Sequence, residues 1–492
     1  MTTEANHGPS IRRSTLINFL GLLIPTAISL VTVPLYLRTI GEIRYGVLLL
    51  AFTFLGYFGA FDLGLGRAVA QRLPQQDDVI ERNQTFWTAL FISAGMGIVG
   101  AVILYFLGTW LFASIFHIPS SLRGEMPAAL PWLAAIVPLT AVISVFAGAL
   151  EARQAFLALN LSQIVGTIGL QVFPLSLALL GHLSMATLLA AALAGRLLGV
   201  LMLVMATARK LPFRGAPHWH RADFAPLLRF GGWVTVSGLV TPLLTIIDRL
   251  VIGAQLNAAA VTAYTVTYNL TQRFTYMPAA LSTSLFPRFS RGAGDDRECL
   301  LHDGIRALVA IQTPIIVIGI ILMVPFLDLW IGKELAAQAA PVAIVLLIGI
   351  WINAPAYVPH NLLPAVGRPD LMARFYLVEL LPFLLVLWIL VAQFGILGAA
   401  IAWLLRSTAD AGFCFFATSS MKIFLRALLP TVPVVVIGVF LSLKSIPFPL
   451  FILLSSIVII WISIVSFLGI PDSLRDTLGR MRILQLFHFN QR

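Results

Sequence analysis

Apolar runs long enough to cross a membrane recur along nearly the whole chain, and this pattern limits the possible folds more than any other feature. An α-helix rises 1.5 Å per residue, so about 20 apolar residues cross a hydrocarbon core of about 30 Å. The polar stretches between the runs reach only about 20 residues, too few for a soluble domain of about 50 residues or more. The sequence therefore predicts an all-α polytopic membrane protein of about 14 transmembrane helices, with spans near residues 15–37, 45–66, 86–112, 129–150, 161–181, 185–207, 230–253, 261–285, 307–331, 341–363, 371–391, 396–418, 428–446 and 449–470.

The composition excludes a soluble protein. Only 11% of the residues are charged and 59% are hydrophobic, whereas a soluble domain carries about 25% charged residues. The first apolar run follows Arg12 and Arg13 and is longer than the apolar core of a signal peptide, which has about 7–15 residues. This run is therefore predicted to be an uncleaved first helix.

Positive charge is distributed unevenly between the two sides of the predicted membrane. Of the 32 Lys and Arg residues, 23 lie on the side of the N-terminus, five lie on the opposite side and four lie inside spans. Because cytoplasmic loops are enriched in Lys and Arg, both termini are predicted to be cytoplasmic. The same bias accounts for the net charge of +11 without a nucleic-acid partner.

Charged residues inside the predicted spans are the candidates for function. A charge at membrane depth is costly, so it is expected to face a wet cavity or another charge. Near the middles of their spans lie Arg196, Arg273 and Arg406; nearer the ends lie Asp62, Asp248, Arg249, Glu379 and Asp410.

The arginines are predicted to bind an anionic substrate. Arg196 and Arg273 have no acidic residue three or four positions away, so each needs a partner on another helix or an anionic ligand. Arginine binds phosphate oxygens in a bidentate manner, which suits a pyrophosphate. We assign Arg196, Arg273, Arg406 and Arg249 as candidate substrate-binding residues, although Arg406 and Asp410 lie one turn apart and can form a structural pair.

The region around Arg273 is the strongest of these candidates. Its flanks are polar and aromatic, and they predict a helix face able to meet water or sugar, formed by Thr267, Tyr268, Thr271, Gln272 and Tyr276. The alternative is a structural arginine tied to Asp248 or to a backbone carbonyl of a neighbouring helix.

The carboxylates Asp62, Asp248, Glu379 and Asp410 are candidates for ion coupling or gating. For Asp62 the alternative is a position at the membrane boundary, paired with Arg67.

No cofactor or metal is expected. The chain has no GxxxxGK[ST] phosphate-binding loop, which argues against ATP hydrolysis. The His-Trp-His sequence at 218–220 and the acidic pairs at 77–78 and 295–296 fall in predicted polar loops, where a solvated role is favoured over metal binding.

The stretch 36–73 carries a family resemblance. Its turn RTIGEIRYGVLLLAF contains Gly41 and continues through Tyr45 and Gly46, and it is followed by the sequence DLGLGRA at 62–68 and then by Arg72. These features resemble the bacterial O-antigen and polysaccharide flippases, within the multidrug/oligosaccharidyl-lipid/polysaccharide exporter superfamily. The chain departs from that pattern at 257–260, where Asn-Ala-Ala-Ala replaces the usual Gly-containing turn.

The resemblance implies a fold of two six-helix bundles with two further C-terminal helices. The expected domains are a bundle at 1–207, a cytoplasmic linker at 208–229, a second bundle at 230–426 and the additional helices and tail at 427–492.

The function that the resemblance implies is the flipping of an undecaprenyl-pyrophosphate-linked oligosaccharide across the cytoplasmic membrane for O-antigen, capsule or exopolysaccharide synthesis. The expected partners are that lipid-linked oligosaccharide, membrane lipids, and the polymerase and chain-length regulator of the export pathway.

Two other classes of protein remain as alternatives. A drug/cation antiporter of the same superfamily would favour carboxylates over arginines at the middle of the membrane. A membrane-embedded polysaccharide polymerase or ligase would be expected to present a sizeable outer loop with catalytic groups. The longest predicted outer loop, 113–128, offers only His117, Arg123 and Glu125, so a transporter is favoured over an enzyme.

Overall fold

A computed structural model of the protein describes residues 11–58, 64–76, 78–211, 243–291, 295–443 and 453–462, which form helices and short turns without a strand. The all-α expectation is confirmed for this part of the chain. The chain divides into two compact units, Met1–Thr262 and Ala263–Arg492.

The first unit contains seven helices and the beginning of an eighth in its described part. They are α1 (Ile11–Phe58), α2 (Leu65–Arg72), α3 (Val79–Trp110), α4 (Ser120–Ala152), α5 (Phe156–Leu179), α6 (Met185–Lys210), α7 (243–255) and the start of α8 (Ala258–Thr271).

Helix α1 reverses its direction at Gly41. A straight helix of its 48 residues would be about 72 Å long, more than twice the hydrocarbon thickness of about 30 Å. Gly41 has φ 75° and ψ 164°, a conformation that favours glycine. Tyr36 and Tyr45 stack with their ring centroids 5.0 Å apart, whereas nine residues of straight helix would separate them by about 13.5 Å. Helix α1 is therefore two arms, and its break lies between the first two predicted spans.

The glycines that follow Asp62 form a turn and a close contact between two helices. Gly64 has φ 64° and precedes the first residue of α2. A β-carbon added at Gly66 would overlap the backbone of Ser144, and one added at Gly148 would overlap the backbone of Gly66. Backbone contact between α2 and α4 therefore requires glycine at both positions.

Two glycine pairs hold α5 against α6. Added β-carbons at Gly169 and Gly195 would each lie 2.8 Å from the Cα atom of the other glycine. A β-carbon at Gly199 would likewise overlap the backbone of Gly166. Small residues three or four positions apart allow membrane helices to approach this closely. The two contacts lie on either side of Arg196 along α6.

An ionic clamp joins α1, α4 and α6 within the first unit. Arg44 Nη2 donates to Glu125 Oε1 at 2.8 Å, and the Arg44 guanidinium also donates to the Leu183 carbonyl. The other oxygen of Glu125 accepts from the backbone N–H of Met185 at 2.7 Å, at the first residue of α6. A carboxylate there also interacts favourably with the positive end of the helix dipole.

We expect the Glu125→Ala variant to be less stable than the wild type by about 1–3 kcal/mol, since the Met185 N–H loses its acceptor and Arg44 keeps only the Leu183 carbonyl. Thermal unfolding of the protein purified in detergent measures this effect. The matched control is Arg123→Ala, because Arg123 is exposed and lies two residues from Glu125 in the same helix. Equal melting temperatures for Glu125→Ala and the wild type would contradict a stabilising clamp.

Helix α7 packs with the first unit. The N–H of His117 donates to the Gly253 carbonyl at 3.0 Å, and Thr262 Oγ1 donates to the Glu42 carbonyl at 2.6 Å. These bonds tie α7 and the start of α8 to the turns after α3 and within α1. The predicted domain limits, with a second bundle beginning at 230, stay a prediction.

The second unit continues α8 and adds eight described helices. They are α9 (Tyr276–Arg291), α10 (Asp295–Ile331), α11 (Lys333–Asn353), α12 (Tyr357–Ala365), α13 (Pro369–Ala417), α14 (Met421–Leu428), α15 (Val432–Leu443) and α16 (Leu453–Ile462).

A short 3-10 turn, Gln272–Thr275, connects α8 to α9 and is anchored by α10. Gln312 Nε2 donates to the Phe274 carbonyl at 2.9 Å, and the ring of Phe274 packs at Gly319. Both contacts come from α10, so the backbone beside Arg273 has a defined position.

Helix α13 also reverses direction, at Gly395. This glycine has φ 59° and ψ −138°. A β-carbon added at Gly398 would overlap the backbone of Leu390, which an unbroken helix would hold about 12 Å away. The second arm of α13 therefore returns along the first.

Nine helices in the described ranges are long and apolar enough to cross a membrane. The helical polytopic membrane fold predicted from the sequence is supported to that extent, and the breaks at Gly41 and Gly395 coincide with two predicted turns. The number of fourteen stays a prediction, because 59–63, 212–242, 444–452 and 463–492 lie outside the described residues.

Candidate functional site

A partly open cavity of about 190 Å³ lies in the first unit, at the junction of α4, α5 and α6. Its polar lining consists of Ser162, Gln163 and Thr167 from α5 and Arg196 from α6, and the remaining lining residues are apolar or glycine. We call this cavity the Arg196 chamber.

Arg196 lies on the face of α6 that packs inside the first unit. Gly195, Gly199 and Leu203 on this face are buried, whereas Leu197 is exposed. Within the part of the chain that the structure describes, the guanidinium has neither a hydrogen-bonded nor an ion-paired partner. An arginine keeps its charge in proteins, so this cation depends on water or on an anionic ligand in the chamber.

Asp248 and Arg249 are both buried on α7. Asp248 Oδ1 accepts from the Arg249 N–H at 2.8 Å, and Arg249 Nη1 donates to the Thr245 carbonyl at 3.4 Å. Each of these bonds is made to the backbone of their own helix, which makes Arg249 a weaker candidate for substrate binding than Arg196.

Arg273 lies in the 3-10 turn between α8 and α9. Its guanidinium donates to the Tyr276 hydroxyl, and its Cζ atom lies 5.5 Å from the centre of the Tyr276 ring. A guanidinium has five N–H donors, so one bond to a tyrosine leaves most of them available for a ligand.

The polar face predicted along α8 is only partly realised. Thr267 and Thr271 are fully buried, and their hydroxyls donate to the carbonyls of Ala263 and Thr267 at 2.6 and 3.0 Å. A threonine hydroxyl can bond to its own helix in this way without a ligand. These two residues therefore contribute to packing rather than to a wet surface.

Glu379 and Arg406 form an ion pair in the second unit, on the two arms of α13. Arg406 Nη1 lies 3.4 Å from Glu379 Oε1, and their side chains are only 15% and 7% exposed. The Arg406 Cζ atom also lies 5.3 Å from the centre of the Phe383 ring. Pairing of Arg406 with Asp410, considered from the sequence, is replaced by this pair because the reversal at Gly395 brings the two arms together.

Neighbouring polar groups extend this ion pair. Asn353 Nδ2 donates to Asp410 Oδ2 at 3.2 Å, and His360 Nε2 lies 2.9 Å from the Tyr376 hydroxyl oxygen. We call the group the α13 cluster, consisting of Asn353, His360, Tyr376, Glu379, Arg406 and Asp410.

The α13 cluster contains three buried polar atoms that no described residue pairs, namely two carboxylate oxygens and Arg406 Nε. Glu379 Oε2 and Asp410 Oδ1 are buried, and no described residue donates a hydrogen bond to either atom. The cluster contains two carboxylates and one arginine, so it has the chemistry to take up a proton or a cation.

Asp62, the remaining carboxylate proposed for coupling, lies outside the described residues. Four polar residues of these two sites are not among those predicted from the sequence: Gln163, Thr167, His360 and Asn353. Gln163 and Thr167 carried a usable signal, because two polar residues four apart in an apolar span share one helix face.

Comparison with protein families finds two matches along the chain. The family described as "Polysaccharide biosynthesis protein" matches residues 11–293, more than half of the chain. The MatE family matches residues 234–389.

One individual protein and two solved structures are similar to this chain over most of its length. A candidate O-antigen transporter of Shigella flexneri is 26% identical over 405 residues, covering 82% of this chain and 96% of the relative. The solved structure of the lipid II flippase MurJ in an inward closed conformation superposes with a TM-score of 0.73 at 13% identity, covering 92% of this chain and 98% of that one. An inward-facing multidrug resistance MATE family transporter of the MOP superfamily gives 0.62 at 14% identity, covering 85% and 95%. At these identities the structural likeness concerns the fold.

Proposed function

Since the chain belongs to the family of polysaccharide biosynthesis proteins, we propose that it flips a lipid-linked oligosaccharide across the cytoplasmic membrane. The proposed cargo is an undecaprenyl-pyrophosphate-linked repeat unit for O-antigen, capsule or exopolysaccharide. The observation that carries this proposal is the family match over residues 11–293, and the Shigella flexneri relative supports it with 96% of its length aligned.

The charged residues divide into two proposed roles. Arg196 in the first unit and Arg273 in the second are each a candidate phosphate-binding arginine of its own unit, because each guanidinium has N–H donors to spare. Glu379 and Asp410 of the α13 cluster couple movement of the cargo to uptake of a proton or a cation, because each has a buried oxygen without a described donor. Arg406 balances part of their charge.

The proposed orientation follows from the charge bias of the loops, and the proposed membrane and partners follow from the family resemblance. Both termini lie in the cytoplasm, and the protein acts in the inner membrane beside the polymerase and chain-length regulator of the same export pathway. The cargo is loaded on the cytoplasmic side with its lipid tail in the bilayer.

A drug/cation antiporter is the second candidate function. The MatE family matches residues 234–389, a segment that includes Glu379. A cationic substrate would bind the carboxylates of the α13 cluster, whereas an anionic lipid pyrophosphate would bind arginines. The two functions therefore differ in the sign of the charge on the transported molecule.

Reconstitution into liposomes tests the proposal. We expect purified protein to expose a fluorescent undecaprenyl-pyrophosphate oligosaccharide to a membrane-impermeant quencher faster than protein-free liposomes do. The Arg273→Ala variant should flip at least tenfold more slowly. Arg273→Lys should be intermediate, because lysine keeps the charge and loses the planar fork of donors.

The matched control is Arg368→Ala, since Arg368 is an exposed arginine of the same unit. This variant should flip at the wild-type rate. Protein-dependent uptake of a cationic drug, without movement of the oligosaccharide lipid, would reject flipping and favour the antiporter.

A further inference from the structure

The Arg196 chamber holds a cation for which the described protein supplies no counter-charge. A charge removed from water is strongly unfavourable unless it is hydrated or paired. We propose that the chamber is a binding site for a phosphate-type oxyanion, held by Arg196 with Gln163 and Thr167 as additional donors. The inference rests on the proposed function for the identity of the transported lipid, and it assigns the phosphate part of that lipid to one cavity.

The polar lining suits an oxyanion. Arg196 presents a planar fork of N–H donors, and Gln163 and Thr167 add an amide and a hydroxyl one helical turn apart on α5. Ser162 is already committed, since its hydroxyl donates to the Ala158 carbonyl at 2.9 Å. None of the described lining residues is a carboxylate, so none of them repels an anion. A phosphate offers several acceptor oxygens and can engage all of the remaining donors together.

The size of the chamber suits a phosphate group. Its volume of about 190 Å³ is below the about 300–1,000 Å³ of pockets that hold drug-sized molecules. A phosphate group therefore fits, and because the chamber is partly open, the sugars of a repeat unit can lie outside it. Binding in the chamber should accordingly be independent of the identity of the glycan.

Glycine contacts fix the helix segment that carries Arg196 and leave room beside its guanidinium. Gly195 and Gly199 pack against the backbone of α5, so the segment that carries Arg196 is part of a rigid helix crossing. A β-carbon added at Gly166 would lie 3.8 Å from Arg196 Nη1 and 3.4 Å from the Cα atom of Gly199. Alanine at position 166 would therefore narrow the chamber at the guanidinium without a severe backbone overlap.

Calorimetric titration of the full-length protein in phosphate-free detergent tests the site. The probes are inorganic pyrophosphate, undecaprenyl phosphate and, as an uncharged counterpart, undecaprenol. We expect Arg196→Gln to weaken phosphate binding at least tenfold and Gly166→Ala to weaken it severalfold. Arg123→Gln should bind as the wild type does, because Arg123 is exposed and lies outside the chamber.

The probes also separate the two sources of phosphate. Loss of pyrophosphate binding in Arg196→Gln supports a site for the free anion, and loss confined to undecaprenyl phosphate supports a site for a lipid headgroup. Equal binding by the wild type and Arg196→Gln, or no binding of any phosphate, overturns the proposal. If Arg196→Gln does not accumulate, phosphate binding by Gly166→Ala tests the proposal instead, because that variant retains the guanidinium. Binding by Gly166→Ala as tight as that of the wild type would then overturn the proposal.

Binding and flipping are measured separately, so the proposal and the function on which it rests can fail independently. Arg196-dependent binding by a protein that does not flip would reject the proposed transport and keep the chamber. Flipping without Arg196-dependent binding would keep the transport and reject the chamber.

Discussion

Replacing Gly195 with alanine is expected to prevent the protein from accumulating in the membrane. The added β-carbon would lie 2.8 Å from the Cα atom of Gly169 and closer still to its carbonyl group. Both groups are backbone, so the overlap can be relieved only by separating α5 from α6. Overpacking ordinarily costs about 1–3 kcal/mol through shifted side chains, and displacing two helix backbones should cost more. The amount of membrane-inserted protein and its melting temperature in detergent measure the effect.

Gly95→Ala is the matched control for this substitution. Gly95 is exposed on α3, and a β-carbon added there meets no atom within 4 Å. Alanine is the better helix former by about 1 kcal/mol, so this variant should be at least as stable as the wild type. If Gly195→Ala accumulated and melted like Gly95→Ala, the glycine contact would not be what holds α5 against α6.

The helix reversals show which part of the fold a sequence can predict. The lengths of the apolar runs require turns near 38–44 and 392–395, and a glycine with positive φ lies in each, Gly41 and Gly395. The length of an apolar run and the position of a glycine are local properties, so both can be read from the sequence alone. The Gly169–Gly195 contact involves two helices, and nothing in either segment alone identifies its partner.

The charged sites show the same limit. Arg196 has no acidic residue at helical spacing, and the described structure supplies no partner from elsewhere. For Arg406, helical spacing singles out Asp410, but its ion pair is with Glu379 on the other arm of α13. Spacing along one helix cannot anticipate a neighbour that a chain reversal brings into contact. His360 was missed for a similar reason, since α12 brings it to Tyr376.

Removing Arg406 alone should destabilise the second unit strongly. Arg406→Ala leaves Glu379 buried without its cation and with Asp410 as a second carboxylate in the same cluster. Breaking a buried ion pair by removing one partner costs about 3–5 kcal/mol, whereas replacing both partners by apolar residues is often close to neutral. We therefore expect Arg406→Ala to melt far below the wild type, and the double variant Arg406→Met with Glu379→Leu to recover most of the difference.

The exposed pair Asp370–Arg374 on the same helix is the matched control. Its side chains are 53% and 76% exposed with N and O atoms 3.6 Å apart, and an exposed pair contributes about 0–1 kcal/mol. Arg374→Ala should therefore leave the melting temperature nearly unchanged. An Arg406→Ala variant as stable as Arg374→Ala would show that Glu379 does not need the arginine.

The stable double variant also separates structure from transport. If Glu379 couples the movement of the cargo to an ion, as we propose, the double variant should fold and flip at less than a tenth of the wild-type rate. If the pair is only structural, the same variant should flip normally, because its apolar replacements fill the site without the charges. Flipping rates at matched protein levels in liposomes distinguish the two, and a fully active double variant would remove Glu379 from the coupling mechanism.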